Sequence, residues 1–136
     1  MASTKDTSAH IVESIGGADN ITSLMRGHDL VVDGTDNFPT RYVLSDAAAE
    51  LGIPVVWGSL LRAEAQVSTF WSDPRADGGS APGRAVTLRD LFPVEPDPAS
   101  VPACGDAGVL GALCGVVGSI MALEVVKLVS GTTGFT

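Results

Sequence analysis

The sequence predicts an α/β fold with parallel strands, connecting helices and at least one antiparallel strand. In the first half of the chain, short apolar runs alternate with helical segments, which is typical of a parallel sheet. A later run alternates apolar and polar residues, as an antiparallel strand does. With 136 residues, the chain forms one domain at most.

The elements before the first clear strand are short. Residues 1–9 are polar and predict a disordered tail, and 10–15 is a modest strand candidate. A short helix is predicted over 18–27. The strand at 29–33 contains the apolar run 30–32, which indicates a strand covered on both faces of a parallel sheet.

A helix is predicted over 38–51, and its first turn carries the clearest local signals. Asp36 or Asn37 can cap it, and Pro39 stands where the missing N–H removes no helical hydrogen bond. A second apolar strand is predicted at 53–59. The order of helix, strand, helix and strand predicts a parallel sheet with right-handed crossovers.

The second half of the chain has a different character. Residues 65–71 alternate and predict an antiparallel edge strand. Residues 73–85 are rich in glycine and proline, and 91–106 contain several prolines, so both predict flexible loops. A long glycine-rich helix is predicted over 107–131.

Glycines recur every three or four residues along this last helix, at Gly108, Gly111, Gly115 and Gly118. They form one stripe that would permit the close approach of another backbone, so we expect the helix to be buried against a sheet or a partner subunit. A membrane span is the alternative, because the first part of the helix carries no charge. Cys114 is expected to be a packed core residue.

Composition restricts the partners and the compartment. The net charge of −8 is spread over separate acidic residues, so we expect neither nucleic acid nor an anionic membrane as a partner. Two cysteines provide no disulfide framework and no four-ligand zinc set. The first residues contain no apolar signal-peptide core, and the expected location is cytoplasmic.

The candidate site lies where the strand at 29–33 ends. Asp33 and Asp36 follow the apolar run and precede a helix N-terminus. Ligands of open α/β sheets bind beyond the carboxyl ends of the strands, and a carboxylate there could hold a divalent cation with its phosphates. Asp36 is the better placed of the two. The alternative is that both aspartates only accept hydrogen bonds from backbone donors of the turn.

Four motifs together resemble a known family. They are DLVVDGTDNFPTRY at 29–42, PVVWGSLLRAEAQVSTFW at 54–71, LFP at 91–93 and CGDAGVLGALCGVVGSIMALEVVKLVSG at 104–131. In this order and spacing they resemble the second half of a ThiF/MoeB-type adenylyltransferase domain, a family that also supplies the ubiquitin-activating enzymes. The resemblance covers roughly 10–131. It implies a partial Rossmann-like sheet.

The resemblance implies an activity and roles for individual residues. Such enzymes use ATP and Mg²⁺ to adenylate the C-terminal glycine of a ubiquitin-like sulfur-carrier protein, which then serves molybdopterin or thiamine synthesis. Asp36 matches the acidic residue that holds Mg²⁺, and Asn37 lies beside it in the nucleotide pocket. Asp33 and Arg41 match nucleotide-binding motif positions with less defined roles. Cys104 matches a crossover-loop cysteine that forms a thioester or persulfide in some members.

The chain also departs from the family pattern. Thr87 and Asp90 occupy positions where many members carry a zinc-binding C-x-x-C, so we expect no zinc. No G-x-G-x-x-G motif is present, so the chain is expected to be a truncated fragment without the glycine-rich nucleotide-binding half and without activity of its own. The resemblance also implies a homodimer. The alternative function is a non-catalytic module that binds a ubiquitin-like protein or dimerises.

Overall fold

The computed structural model describes residues 18–73, 85–97 and 108–132. The elements run in the order α1 (Ala18–Met25), β1 (Val31–Asp33), α2 (Phe38–Leu51), β2 (Val55–Leu61), β3 (Glu64–Phe70), α3 (Leu88–Leu91) and α4 (Gly111–Ser130). The strand candidate at 10–15, the tail at 1–9 and most of the two predicted loops lie outside the described residues.

The three strands of the described part form one mixed sheet in the order β1-β2-β3. β1 is parallel to β2, with Val31 opposite Val55 and Asp33 opposite Trp57. β3 returns antiparallel to β2, with Val55 opposite Phe70. The α/β prediction with its parallel and antiparallel strands is therefore confirmed, and the arrangement is that of a partial Rossmann-like sheet.

Helix α2 has the bounds that the sequence predicts, because both of its ends are fixed by local chemistry. Asn37 caps it: the Asn37 Oδ1 accepts a hydrogen bond from the Thr40 N–H at 2.9 Å. Pro39 lies in the first turn. Gly52 ends the helix in the left-handed conformation, with φ of 69°.

Apolar residues cover both faces of β2. On one face α1, α2 and α3 pack on the sheet, and Trp57 contacts Phe70 and Phe92 with ring centroids 5.8 and 6.0 Å apart. On the other face α4 packs through Val117 and Met121. This two-sided cover fixes the plane of β2, the strand that lies beside the candidate site.

At β1 the sequence prediction of cover on both faces is wrong within the described residues. Asp33 is buried, but the Val32 side chain is 52 % exposed. Val32 lies opposite Val56, on the face of the sheet where α4 packs. The apolar run indicates a strand, and the cover of each face depends on distant helices.

Helix α4 packs on the sheet, as one form of the prediction expects, but its glycine stripe faces outward; packing of the stripe on a partner subunit stays a prediction. A Cβ built at Gly111, Gly115 or Gly118 would meet nothing within 4 Å of the described structure. Val117 and Met121 face the sheet instead. By length and composition α4 could also cross a membrane, although its inner side packs on β2 and β3.

Candidate functional site

The candidate site lies at the carboxyl ends of the parallel strands β1 and β2. β1 ends at Asp33, and residues 34–37, hereafter the β1–α2 turn, lead into α2. The N-terminus of α2 therefore lies next to the strand ends. The dipole of α2 favours negative charge, such as that of a phosphate, at this edge. The N–H groups of its first turn contribute little, because Pro39 has none and the Thr40 N–H already donates to the Asn37 Oδ1.

Asp33 is buried beneath the β1–α2 turn. Its side chain is 2 % exposed, and its Oδ1 accepts hydrogen bonds from the Thr35 N–H at 2.9 Å and the Thr35 hydroxyl at 2.8 Å. Burial raises the pKa of Asp33, and the Thr35 hydrogen bonds and the Arg41 charge oppose that rise. In this structure Asp33 accepts hydrogen bonds from the turn, as one of the two sequence hypotheses expects.

Asp36 has the opposite environment, because it is exposed. Its Oδ1 accepts a hydrogen bond from the Asn37 Nδ2 at the long distance of 3.5 Å. The Asn37 Oδ1 is already engaged with the Thr40 N–H, so the Asn37 amide group both caps the helix and contacts Asp36. The structure thus presents the Asp36 carboxylate at the surface, beside the N-terminus of α2.

Arg41 is 5 % exposed and contacts both the turn and β2. Its Nε and Nη2 donate to the Thr35 carbonyl oxygen at 3.0 and 2.6 Å, and its Nη1 donates to the Ser59 Oγ at 2.9 Å. The guanidinium lies 5.4 Å from the Phe38 ring centroid and 5.7 Å from that of Trp57. The assignment of Arg41 to nucleotide binding stays a prediction; the three hydrogen bonds observed for its guanidinium all lie within the protein.

Sequence reasoning did not identify Thr35 or Ser59 as parts of this site. Thr35 follows Asp33 by two residues, and that spacing permits the side-chain-to-backbone turn that is observed. Ser59 lies 18 residues after Arg41 and carries no local signal. Only the pairing of β1 with β2 brings Ser59 to the same edge of the sheet.

The donor set fits a phosphate-bound magnesium ion better than a fully protein-bound metal. Within residues 18–73, 85–97 and 108–132, no three His, Cys, Asp or Glu side chains are grouped to hold a metal. Mg²⁺ in nucleotide sites is commonly held by one or two carboxylates, with phosphates and water completing its shell. The exposed Asp36 carboxylate fits that role.

Cys104 lies outside the described residues, but both flanks of its segment are held. On one side, the Tyr42 hydroxyl donates to the carbonyl oxygens of Phe92 and Val94 at 2.8 and 3.2 Å. On the other, the Arg62 N–H donates to the Gly108 carbonyl oxygen and the Leu110 N–H donates to the Arg62 carbonyl oxygen, each at 3.1 Å. A thioester or persulfide at Cys104 stays a prediction.

Two further sequence predictions concern cysteine and zinc. The packed-core prediction for Cys114 is wrong, since this residue is exposed on α4. Thr87 and Asp90, which stand where the resemblance implies zinc-binding cysteines, form the capping box of α3. The Thr87 N–H and hydroxyl donate to the Asp90 Oδ2 at 2.7 and 2.8 Å.

A comparison with protein families decides what kind of domain carries this site. The sequence model of the ThiF family matches residues 4–135. The chain belongs to the ThiF family. The resemblance inferred from the four motifs is thereby confirmed, and the ThiF-family pattern covers the β1–α2 turn, the sheet and α4.

Curated relatives of this ThiF-family chain carry related names. It is 46 % identical over 112 residues to "Probable adenylyltransferase/sulfurtransferase MoeZ" of Mycobacterium tuberculosis, covering 82 % of this chain and 27 % of the relative. It is 45 % identical over 114 residues to "Sulfur carrier protein adenylyltransferase" of Thermus thermophilus, covering 84 % and 40 %. For "Adenylyltransferase and sulfurtransferase MOCS3" of Drosophila sechellia, the identity is 43 % over 112 residues, covering 82 % and 22 %. The matched region spans less than half the length of each of these relatives.

Proposed function

We propose that this chain is part of an ATP-dependent adenylyltransferase that activates the C-terminal glycine of a ubiquitin-like sulfur-carrier protein. The observation that carries the proposal is the exposed Asp36 carboxylate at the carboxyl edge of the sheet, next to the N-terminus of α2. The names of the relatives support the reaction class. In the reaction, the carrier carboxylate attacks the α-phosphorus of ATP, and pyrophosphate leaves.

The proposal gives each residue of the site a role. Asp36 holds Mg²⁺, which when bound supplies positive charge to the phosphate oxygens. Asn37 lies at the nucleotide while it caps α2. Asp33 and Arg41 belong to the same site through the turn that they support. In a later covalent step the Cys104 thiolate would attack the carbonyl carbon of the carrier adenylate and form a thioester while AMP leaves. In the alternative it would attack the outer sulfur of a persulfide donor and become a persulfide while the donor leaves as a thiol.

Several wider expectations belong to the same proposal. The glycine-rich phosphate loop would come from a segment outside this chain, and this chain by itself would not exchange pyrophosphate. The assembled enzyme would be a cytoplasmic homodimer that serves molybdopterin or thiamine sulfur transfer.

The test is ATP–pyrophosphate exchange in a chimera. Residues of this chain replace the matched 114-residue region of the Thermus relative, so that the rest of that protein supplies the phosphate loop. We expect exchange with the Thermus sulfur carrier, and Asp36→Ala to lower it by about 100-fold or more, as the removal of an electrostatic contact to a transition state does.

Asp46→Ala provides the matched control, because Asp46 is an exposed aspartate on the same helix and its partner is Arg89. We expect this variant to keep exchange within about threefold, as a surface change away from the site does. Unchanged exchange in Asp36→Ala would remove Asp36 from the reaction, and a well-folded but inactive chimera would argue against the proposed activity.

The second candidate function is a non-catalytic module that binds a ubiquitin-like carrier or dimerises. The uncharged, exposed outer side of α4 and the exposed Val32 favour it, because both offer apolar surface for a protein partner. Calorimetric titration of this chain with the Thermus carrier, without nucleotide, tests it. Carrier binding together with an inactive chimera would favour this function over adenylation.

A further inference from the structure

The β1–α2 turn is held at Thr35 from two opposite sides. The Thr35 N–H and hydroxyl donate to the Asp33 carboxylate, and the Thr35 carbonyl oxygen accepts two hydrogen bonds from Arg41. Every backbone polar group of Thr35 is therefore paired. Two donors of one planar guanidinium converge on this oxygen, so they hold it near the guanidinium plane as well as at a fixed distance.

The guanidinium that holds Thr35 is itself fixed. Its Nη1 donates to the Ser59 Oγ on β2, and the rings of Phe38 and Trp57 lie 5.4 and 5.7 Å from its central carbon. Trp57 belongs to the buried core of the sheet. Arg41 thus ties the turn to a strand that is covered on both faces, and this strand is the rigid reference of the site.

The Thr35 carbonyl lies in the same peptide plane as the Asp36 N–H. A peptide unit is planar and resists rotation, so a fixed Thr35 carbonyl fixes the direction in which the chain enters Asp36. Asp36 is exposed and has a long contact to Asn37, 3.5 Å from Nδ2 to Oδ1. Its carboxylate projects from the Cα whose position this peptide plane sets.

We propose that Arg41 and Ser59 are positioning residues of the adenylation site, which direct the Asp36 carboxylate through the Thr35–Asp36 peptide plane. This inference rests on the proposed function, which assigns Mg²⁺ binding to the Asp36 carboxylate. It gives Ser59 a role that the sequence does not suggest, and it makes Arg41 a support of the cation site that does not contact the nucleotide. Outer residues of this kind set the affinity of a metal site by orienting its ligand.

The experiment uses the whole chain, labelled with ¹⁵N, in three steps. Amide relaxation measures the order of residues 34–37 in the wild type, in Ser59→Ala and in Arg41→Lys. Mn²⁺ with an equal amount of ATP is then titrated as a paramagnetic stand-in for phosphate-bound Mg²⁺, and the broadening of the same amides is followed. Urea unfolding of each variant separates local effects from a loss of global stability.

We expect the amides of the turn to lose order in both variants, from order parameters of about 0.85 to about 0.6 or below. The Mn²⁺ concentration that gives half-maximal broadening should rise about tenfold, as it does when an outer support of a metal ligand is removed. Lysine keeps the charge but cannot donate to Thr35 with two hydrogen bonds and to Ser59 as well.

Two control variants match the chemistry of the changes at other places. Arg89→Lys removes a bidentate arginine that lies over the Tyr42 ring, away from the turn. Ser72→Ala removes a hydroxyl that donates to the Ala49 carbonyl oxygen. Neither control should change the order of residues 34–37 or the Mn²⁺ response.

The outcomes separate this inference from the proposed function. Wild-type order at residues 34–37 in Ser59→Ala and Arg41→Lys would overturn the positioning role, even if both variants were less stable. Loss of order in the variants, without Mn²⁺ broadening in the wild type, would support the positioning of the turn and count against the proposed cation site. Should Arg41→Lys not fold, Ser59→Ala still decides, since it removes only one hydroxyl.

Discussion

The packing of α4 on the sheet leads to a double-mutant prediction centred on Gly58. A Cβ built at Gly58 on β2 would lie in direct overlap with the Met121 sulfur, 3.1 Å from the Met121 Cε and 3.2 Å from the Val117 Cγ1. Gly58 therefore allows α4 to approach the strand closely. We expect Gly58→Val to force α4 outward or Met121 into a poorer rotamer.

The magnitude follows from the two opposing effects of the substitution. Overpacking of a filled interface costs about 1–3 kcal/mol. The β-propensity of valine offsets less than about 1 kcal/mol of this, so the free energy of unfolding should fall by about 2 kcal/mol. Met121→Ala alone should cost about 2–3 kcal/mol, because a buried side chain is removed.

The double variant Gly58→Val with Met121→Ala should be more stable than the sum of the single changes predicts. Valine at 58 fills part of the space that Met121 leaves, which gives a coupling of about 1–2 kcal/mol. Urea unfolding, followed by circular dichroism and by the fluorescence of the buried Trp57, measures all four proteins. Gly118→Ala is the control: its Cβ meets nothing within 4 Å, and it should not destabilise the fold.

Additive effects within about 0.5 kcal/mol would refute the reasoning, because they would mean that Met121 does not contact Gly58 in solution. A destabilised Gly118→Ala variant would also contradict it. In that case the exposed side of α4, and not the side facing the sheet, would be the packed one.

Three further predictions concern other contacts. Burial raises the pKa of Asp33 above its ordinary value of 3.8, so the folded state binds this proton more tightly than the unfolded state. We compare the unfolding free energy of the wild type with that of Asp33→Asn in urea titrations at several pH values. The wild type minus the variant should fall as pH rises from 3.8 through the folded-state pKa of Asp33. A difference that rises with pH would contradict this. Tyr42→Phe should lower the free energy of unfolding by about 1–2 kcal/mol and speed amide hydrogen exchange near Phe92, because the Tyr42 hydroxyl donates to the carbonyl oxygens of Phe92 and Val94. Unchanged exchange would argue that this hydroxyl does not hold the segment. Gly115→Leu should leave the fold of the monomer intact, because a Cβ there meets nothing within 4 Å. The variant should weaken a homodimer that uses this face of α4. An unchanged dimer mass in sedimentation would exclude this face as the dimer interface.

The helix and strand positions near the site could be predicted because they depend on neighbours in sequence. Asn37 and Gly52 set the ends of α2 through contacts within four residues, and the structure has both caps. The position of Asp36 beside the N-terminus of α2 follows from the same local signals. β2 and β3 also fall within two residues of their predicted bounds, since apolar runs and alternation mark them.

The side of α4 that packs on the sheet could not be predicted from its sequence. Its residues are apolar on nearly every side, so the helical period does not indicate which side packs on the sheet, and the glycine stripe lies on the other side. The sheet offers a fitting surface to one side: Gly58 leaves space for Met121, and Val117, four residues earlier and so on the same side of the helix, also faces the sheet. Cys114 is exposed as a consequence.

The sequence by itself determined the ThiF-family membership, the α/β order of the elements and the capped helix that follows Asp36. Only the tertiary structure decided that Asp33 is buried, that Asp36 is exposed and that Arg41 reaches Ser59 across 18 residues of chain. The physical reason is the distance along the chain over which each interaction acts. Caps and periodicity act within a few residues, whereas burial and side-chain contacts depend on which strands pair and which helices cover them.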